Sequence, residues 1–253
     1  MRVGPIAAGI VIAACALFAL SGACLAGQAL SDLHGLVSPR AALILTTGAI
    51  ATGLSYAVED PDAAEEFLSR GALDAISDAG NVYGSTLFLA PAALVTWSLA
   101  SAFDDGRLAK TGRDALEAIV LAQCVVAPMK VVVDRERPDG DRYSFPSGHA
   151  ANAVSVVPIL WRAHGAGVGL VASGLALCTA LGRQEDRRHY LSDVVGGATI
   201  GFLIGDTIGR RAAEEETASR AAAEGGIPGR NSAGRRTPRL EVSPRAVSLG
   251  WTW

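Results

Sequence analysis

The chain is 253 residues long, with 50% apolar, 6% aromatic and 19% charged residues, 29 glycines and a formal net charge of −3. That length suits one compact domain with some excess, and so small a net charge gives no footprint for a nucleic-acid partner. Apolar runs rich in Ala and Gly, parted by short charged loops, point to packed helices in a membrane, where small residues let backbones approach closely.

Residues 1–27 open with Met1-Arg2, continue through an apolar run from Ile6 to Leu20 and exit through small residues, Ser21 to Gly27. This layout is either a signal peptide or an uncleaved first span. Six further apolar stretches follow, at 41–57, 84–103, 115–129, 150–161, 167–181 and 194–209. Several approach the ~20 residues that cross a bilayer. Strict alternation is missing across residues 28–211, so the body reads as all-α: a bundle of about six core helices, membrane-embedded. Cys15 and Cys24 lie in the first apolar segment, and Cys124 and Cys178 in later ones. Lacking metal-ligand spacing, they read as small buried side chains. From 212 to 253 the chain turns polar and basic, which predicts a disordered tail. Only its last residues, from Val247, alternate like a short strand.

Charge sorts the loops. Glu59, Asp60, Asp62, Glu65, Glu66, Asp74 and Asp78 crowd one connection, with Arg70 the lone cation among them. Arg107, Lys110 and Arg113 occupy another connection, Arg162 a third, and Arg210-Arg211 open the tail. Basic loops favour the cytoplasm, so the acidic connection would face outward. A cleaved signal peptide conflicts with six later spans that end inside. Either the first segment is retained, or 41–57 does not cross, or the body is a soluble exported domain.

Three polar clusters stand at the ends of apolar segments. The first runs from Lys130 to Arg137-Pro138, where two cations on one loop can grip a phosphate, Arg with a bidentate fork. The second is Pro146-Ser147-Gly148-His149, a predicted helix start. Ser147 can cap it, Gly148 allows close backbone approach, and free N–H groups attract an anion beside His149. The third holds Arg183, His189 and Asp193; four residues apart, His189 and Asp193 would share one helix face. The carboxylate then fixes the imidazole tautomer and leaves the other nitrogen as nucleophile or base. Each cluster alone reads as an ordinary cap or loop charge. Together, in order and on one side of the bundle, they make an anion site with a nucleophile and an acid.

Lys-x6-Arg-Pro, Pro-Ser-Gly-His and Arg-x5-His-x3-Asp, spread over residues 79–209, resemble the signature of the type 2 phosphatidic acid phosphatase superfamily. That superfamily includes lipid phosphatases, class A acid phosphatases and vanadium haloperoxidases. The pattern departs from the family at Gly182, where a Ser is usual. The resemblance implies His189 as nucleophile forming a phosphohistidine, Asp193 orienting it, and His149 as the acid and then the base. It implies Lys130, Arg137, Ser147, Gly148 and Arg183 on the phosphate oxygens, and neither metal nor cofactor. The expected function is removal of phosphate from a lipid phosphomonoester or diphosphate, such as phosphatidic acid or a polyprenyl diphosphate, at the periplasmic face of a bacterial-type inner membrane. The alternatives are a soluble periplasmic acid phosphatase, a vanadate-dependent haloperoxidase and a catalytically dead membrane protein. Arg135 and Glu136 read as a local pair. Arg187, Arg188 and Tyr190 read as headgroup contacts or a solvated face. Asp206 lies too far along its helix to reach the phosphate, and His34 and His164 take no role.

Overall fold

The computed structural model describes residues 37–68, 72–225, 239–243 and 246–250. The N-terminal segment, its two cysteines and His34 lie outside those residues. The chain divides into two units, Met1–Ala213 and Glu214–Trp253.

The first unit is all-α among its described residues. Helix α1 (Pro39–Val58) is capped by Ser38, whose hydroxyl accepts from the Ala41 N–H at 3.1 Å. After α2 (Pro61–Leu68), helices α3 (Ala72–Gly84) and α4 (Thr86–Ala102) meet at a 61° bend. Ser85 caps α4 there by accepting from the Leu87 N–H. Helix α5 (Gly106–Val133) is followed by an irregular loop, then by α6 (Gly148–Ser155) and α7 (Val157–His164). Helix α8 (Ala166–Glu185) and helix α9 (Leu191–Gly225) complete the bundle.

Helices α1, α5, α8 and α9 are long and apolar enough to cross a membrane, and the bent α3–α4 pair makes a fifth candidate. Leu43, Ile50 and Leu54 of α1 and Leu170, Val171 and Leu177 of α8 point outward, where only a lipid phase makes their exposure favourable. The chain is a membrane protein. The stretch at 150–161 is not one helix. It breaks at Val156, because Pro158 has no N–H to give the Val154 carbonyl and its ring crowds that turn. Cys124 faces outward and Cys178 is half-buried, correcting the expectation that both are core residues.

The interior is built from small side chains. Ala118, Ala122 and Val126 of α5 meet Ala151, Ile159, Ile204 and Ile208 in one core cluster. Helix α9 approaches α6 and α7 through Gly197, Gly201, Gly205 and Gly209, one per turn. A Cβ on Gly197, Gly201 or Gly205 would stand 2.2, 2.2 or 2.0 Å from the carbonyl oxygen of Ser147, Ala151 or Ser155. Only glycine permits that backbone contact. It places the start of α6 beside the start of α9.

Two ends result. Lys130, at the end of α5, Arg183, at the end of α8, and the starts of α6 and α9 share one. At the other, Asp206 pairs with Arg162 and, at 2.6 Å, with Arg40, while Arg211 donates to Glu117 at 2.9 Å and Lys110 to the Ala212 carbonyl at 3.0 Å. Asp206 is therefore a helix-to-helix tie among α1, α7 and α9.

The segment expected to be a disordered tail begins inside α9, which continues to Gly225 because residues 212–223 are mostly Ala, Glu and Arg, strong helix formers. In the second unit Arg220 pairs with Glu216 one turn away. Strands β1 (Arg239–Ser243) and β2 (Ala246–Gly250) form an antiparallel hairpin with Leu240 opposite Leu249.

Candidate active site

Lys130 stands in the last turn of α5. Its ammonium donates to the carbonyls of Tyr143 at 2.6 Å and Ser144 at 3.3 Å. Two of its three protons are fixed by the loop, and one remains for a ligand. The loop reverses at Asp134, which takes a left-handed conformation (φ 48°). It returns through Arg137, whose N–H donates to the Asp141 carbonyl at 2.7 Å.

Ser147 caps α6, its hydroxyl facing the Ala150 N–H, and its own N–H donates to the Asp193 carbonyl at 2.9 Å. That bond ties the second motif to the third. Gly148 and His149 follow as the first residues of α6, among the backbone N–H groups that have no carbonyl partner within the helix. Beneath them Gln123 of α5 donates to the Asn152 side chain at 2.6 Å, and Asn152 donates to Thr86 at 2.7 Å and the Gly84 carbonyl at 3.2 Å. This satisfied buried network pins the helix start that carries His149.

Arg183 ends α8 with one guanidinium nitrogen donating to Asn81 at 2.9 Å and Asp186 at 3.0 Å. Asn81, on α3, also donates to Asp186 at 2.9 Å. The fork is thus aimed by a residue 102 positions away.

His189 is not on a helix, as its spacing from Asp193 suggested. It sits in the turn before α9, its N–H donating to the Arg183 carbonyl at 3.1 Å. The turn still pairs it with Asp193, in the first turn of α9, with Nδ1 3.8 Å from Oδ2. Asp193 is fully buried and accepts from the Ser144 hydroxyl, from the Tyr190 N–H at 2.9 Å and from Arg135 at 2.8 Å. Arg135 does not pair with Glu136. It is drawn to Asp193, Ser192 and Glu59, all anchored at the start of α9.

Arg187 and Arg188 are engaged by carboxylates, Arg187 with Asp62 in the first turn of α2 at 2.5 Å and Arg188 with Asp139 of the loop at 3.0 Å. His164 lies within 3.0 Å of the Thr111 hydroxyl, away from this end.

Electrostatically the cluster is one body. Burial pushes the His149 pKa down to about 3, and Arg183, His189, Lys130 and Arg137 all add to the shift. Burial pushes His189 down to about 4, outweighing the opposing pull of Asp193. Both rings are therefore neutral near pH 7 in the free protein. Arg137 Nε, Arg183 Nε and His189 Nδ1 are buried without a hydrogen-bond partner. Unpartnered buried donors on two guanidinium groups, beside a helix N-terminus, form a cradle for an oxyanion. A cleft of about 280 Å³ opens beside His189, lined by Val58, Glu59, Pro61, Tyr190 and Leu191.

Sequence reasoning missed Asn81, Gln123 and Asn152, and misassigned Arg135. The available signal was the presence of single amides inside or beside apolar segments, which are retained when their hydrogen bonds are satisfied.

Residues 139–209 match the model of the PAP2 superfamily. This span takes in the second and third motifs, but not Lys130 or Arg137. The chain is 29% identical over 92 residues to phosphatidylglycerophosphatase B of Bacillus subtilis, a match covering 30% of this chain and 45% of that protein. It is 33% identical over 97 residues to lipid A 1-phosphatase of Porphyromonas gingivalis, covering 37% of this chain and 22% of that protein. The matches thus span less than half the length of these curated relatives. Among solved structures, Aquifex aeolicus LpxE aligns with a TM-score of 0.48 and 21% identity over 58% of this chain and 92% of that one. A PAP2-type phosphatidylglycerolphosphate phosphatase from Bacillus subtilis aligns with a TM-score of 0.46 and 19% identity over 74% and 92%.

Proposed function

We propose that this chain, whose residues 139–209 match the model of the PAP2 superfamily, is a phosphatase of lipid phosphomonoesters or diphosphates, acting through a phosphohistidine without a metal. The observation that carries the proposal is the pair of buried, unpartnered Nε–H donors on Arg137 and Arg183 beside a neutral imidazole pair. Lipid phosphates are favoured over soluble esters because lipid-exposed helices surround the site and both curated relatives are named for lipid substrates.

In the proposed reaction Lys130, Arg137, Arg183, Ser147 and the Gly148 N–H hold the three non-bridging oxygens. The incoming anion offsets the cations that depress His149, so that ring takes up a proton when substrate binds. His189 Nδ1 faces Asp193, leaving Nε2 to attack phosphorus. The P–N bond forms as the P–O bond to the leaving group breaks, and His149 gives its proton to the departing oxygen. Water then loses a proton to His149 and attacks phosphorus. The P–N bond breaks, releasing orthophosphate and a neutral His189. Fixed cations and helix N–H groups stabilise the equatorial charge in both steps.

The site lies at the end away from Arg40, Lys110, Arg162 and Arg211, and the tendency of basic residues to stay on the cytoplasmic side supports an external site. The test is phosphate release by detergent-purified protein from phosphatidic acid, phosphatidylglycerophosphate, a polyprenyl diphosphate and a soluble aryl phosphate, with chelator throughout. Turnover of a lipid substrate supports the reading. Complete loss on chelation, or turnover of the soluble ester alone, overturns it.

A further inference from the structure

Arg135 lies outside the phosphate cradle, yet it makes more contacts to the third motif than any residue assigned to the reaction. One guanidinium nitrogen donates to Asp193 Oδ1 at 2.8 Å and to the Ser192 hydroxyl at 2.7 Å. The other donates to Glu59. The guanidinium carbon lies 4.1 Å from the centre of the Tyr190 ring and 5.2 Å from that of Tyr56, within cation–π reach of both. Glu59, directly after α1, completes the ring of bonds: its second oxygen accepts from the Ser192 hydroxyl at 2.5 Å and from the Ser192 N–H at 3.3 Å. A carboxylate from the end of α1 therefore sits at the N-terminus of α9, where the helix dipole favours it.

We propose that Glu59 and Arg135 form a positioning clamp on the nucleophile. Arg135 holds Asp193 ionised through Oδ1, so that Oδ2 is the oxygen presented to His189, and Glu59 fixes Arg135 and the start of α9 together. Neither residue touches the reacting atoms. The proposal rests on His189 as nucleophile and names two residues, Glu59 outside the three motifs and Arg135 within the first, that the resemblance leaves without a role. It also gives α1 a part in the site: Val58 and Glu59 line the cleft that opens on His189.

Two charges of opposite sign on one relay have a signature that mere structural support lacks. His189 is faced by Lys130 from α5, by His149 from α6, by Arg183 from α8 and by Asp193 from α9, it shares its cleft with Glu59 and Asp60 after α1, and Arg135 acts on it through Asp193. In Arg135→Gln the cation balancing Asp193 is lost, the carboxylate attracts a proton onto His189 more strongly, and the acidic limb of kcat/KM moves to higher pH. In Glu59→Gln the cation is left unbalanced, and the same limb moves to lower pH. The double variant returns towards wild type. Arg135→Lys keeps the charge and loses the fork, so kcat falls while the limb stays in place. In each single variant kcat is expected to fall about tenfold or more, an added barrier of ~1.4 kcal/mol, with KM nearly unchanged.

The experiment is the pH profile of phosphate release for these four variants, paired with an NMR titration of 15N-labelled histidine that follows His189 in the same detergent-solubilised proteins. Opposite shifts in the two single variants, by either readout, support the clamp. Shifts of the same sign, no shift, or a loss confined to KM overturn it. If Arg135→Gln does not fold, Glu59→Gln and Arg135→Lys still carry the comparison. A wild-type protein that releases no phosphate would defeat the phosphatase reading, while the His189 titration would still decide the clamp.

Discussion

At the scale of single residues, Gly182 explains the one departure from the family pattern. A Cβ there would stand 2.4 Å from the Ser77 carbonyl oxygen and 2.7 Å from Asn81 Oδ1. Asn81 holds Arg183, so the space a serine would fill is used to aim the neighbouring guanidinium. Gly182→Ser is expected to lower stability by ~1–3 kcal/mol, as overpacking does, and to raise KM, measured by thermal melting and by steady-state phosphate release. His189→Ala is expected to abolish turnover and His34→Ala to leave it intact; near-wild-type rates in the first would refute the assignment. The charged residues proposed for the cradle could be named from the sequence because they stand at short spacings. Asn81, Glu59 and Gln123 were not. Each meets its partner across 25 residues or more, and spacing within a segment carries no trace of such a meeting.

Among the elements, the contact of α9 with α6 and α7 positions the site most directly. Glycines at 197, 201, 205 and 209 were visible as small residues in an apolar stretch. Their partners, the carbonyls of Ser147, Ala151, Ser155 and Pro158, lie about 50 residues away, and spacing within the stretch carries no trace of them. Gly201→Val is expected to push α9 away from Ala151 and to lower the melting temperature. It should also weaken activity, since the Ser147–Asp193 backbone bond lies one turn away. Unchanged stability would show that the helices can separate without cost. Acid sensitivity belongs at this scale as well. His149 and His189 have pKa values pushed below their unfolded value, so the unfolded chain binds more protons between pH 6.5 and about 4. Stability is thus full above pH 6.5 and is expected to fall as pH drops through that window. Added orthophosphate should reduce the fall, because an anion in the cradle relieves the charge that protonation creates.

For the whole molecule, the two ends of the bundle differ in what their charges do. One end joins α1, α5, α7 and α9 through Arg–carboxylate ties; the other pairs Arg135 with Glu59 and Asp193 and keeps the Nε–H groups of Arg137 and Arg183 for a ligand. The helical class and the division of charge were readable from apolar runs and loop composition. The helical continuation of α9 to Gly225 was not, because polarity was taken for disorder where helix propensity was high. A cysteine introduced at half-buried Arg188 is expected to react with a membrane-impermeant maleimide added to intact cells, and one at exposed Arg210 only after lysis. The reverse pattern would invert the orientation. The most direct measurement is to quench the protein during turnover of a 32P-labelled lipid phosphate with chelator present and to map the label. Acid-labile, alkali-stable radioactivity on the peptide containing His189, absent in His189→Ala, is the expected result. Turnover without labelled protein, or label that persists in the variant, would contradict a histidine nucleophile.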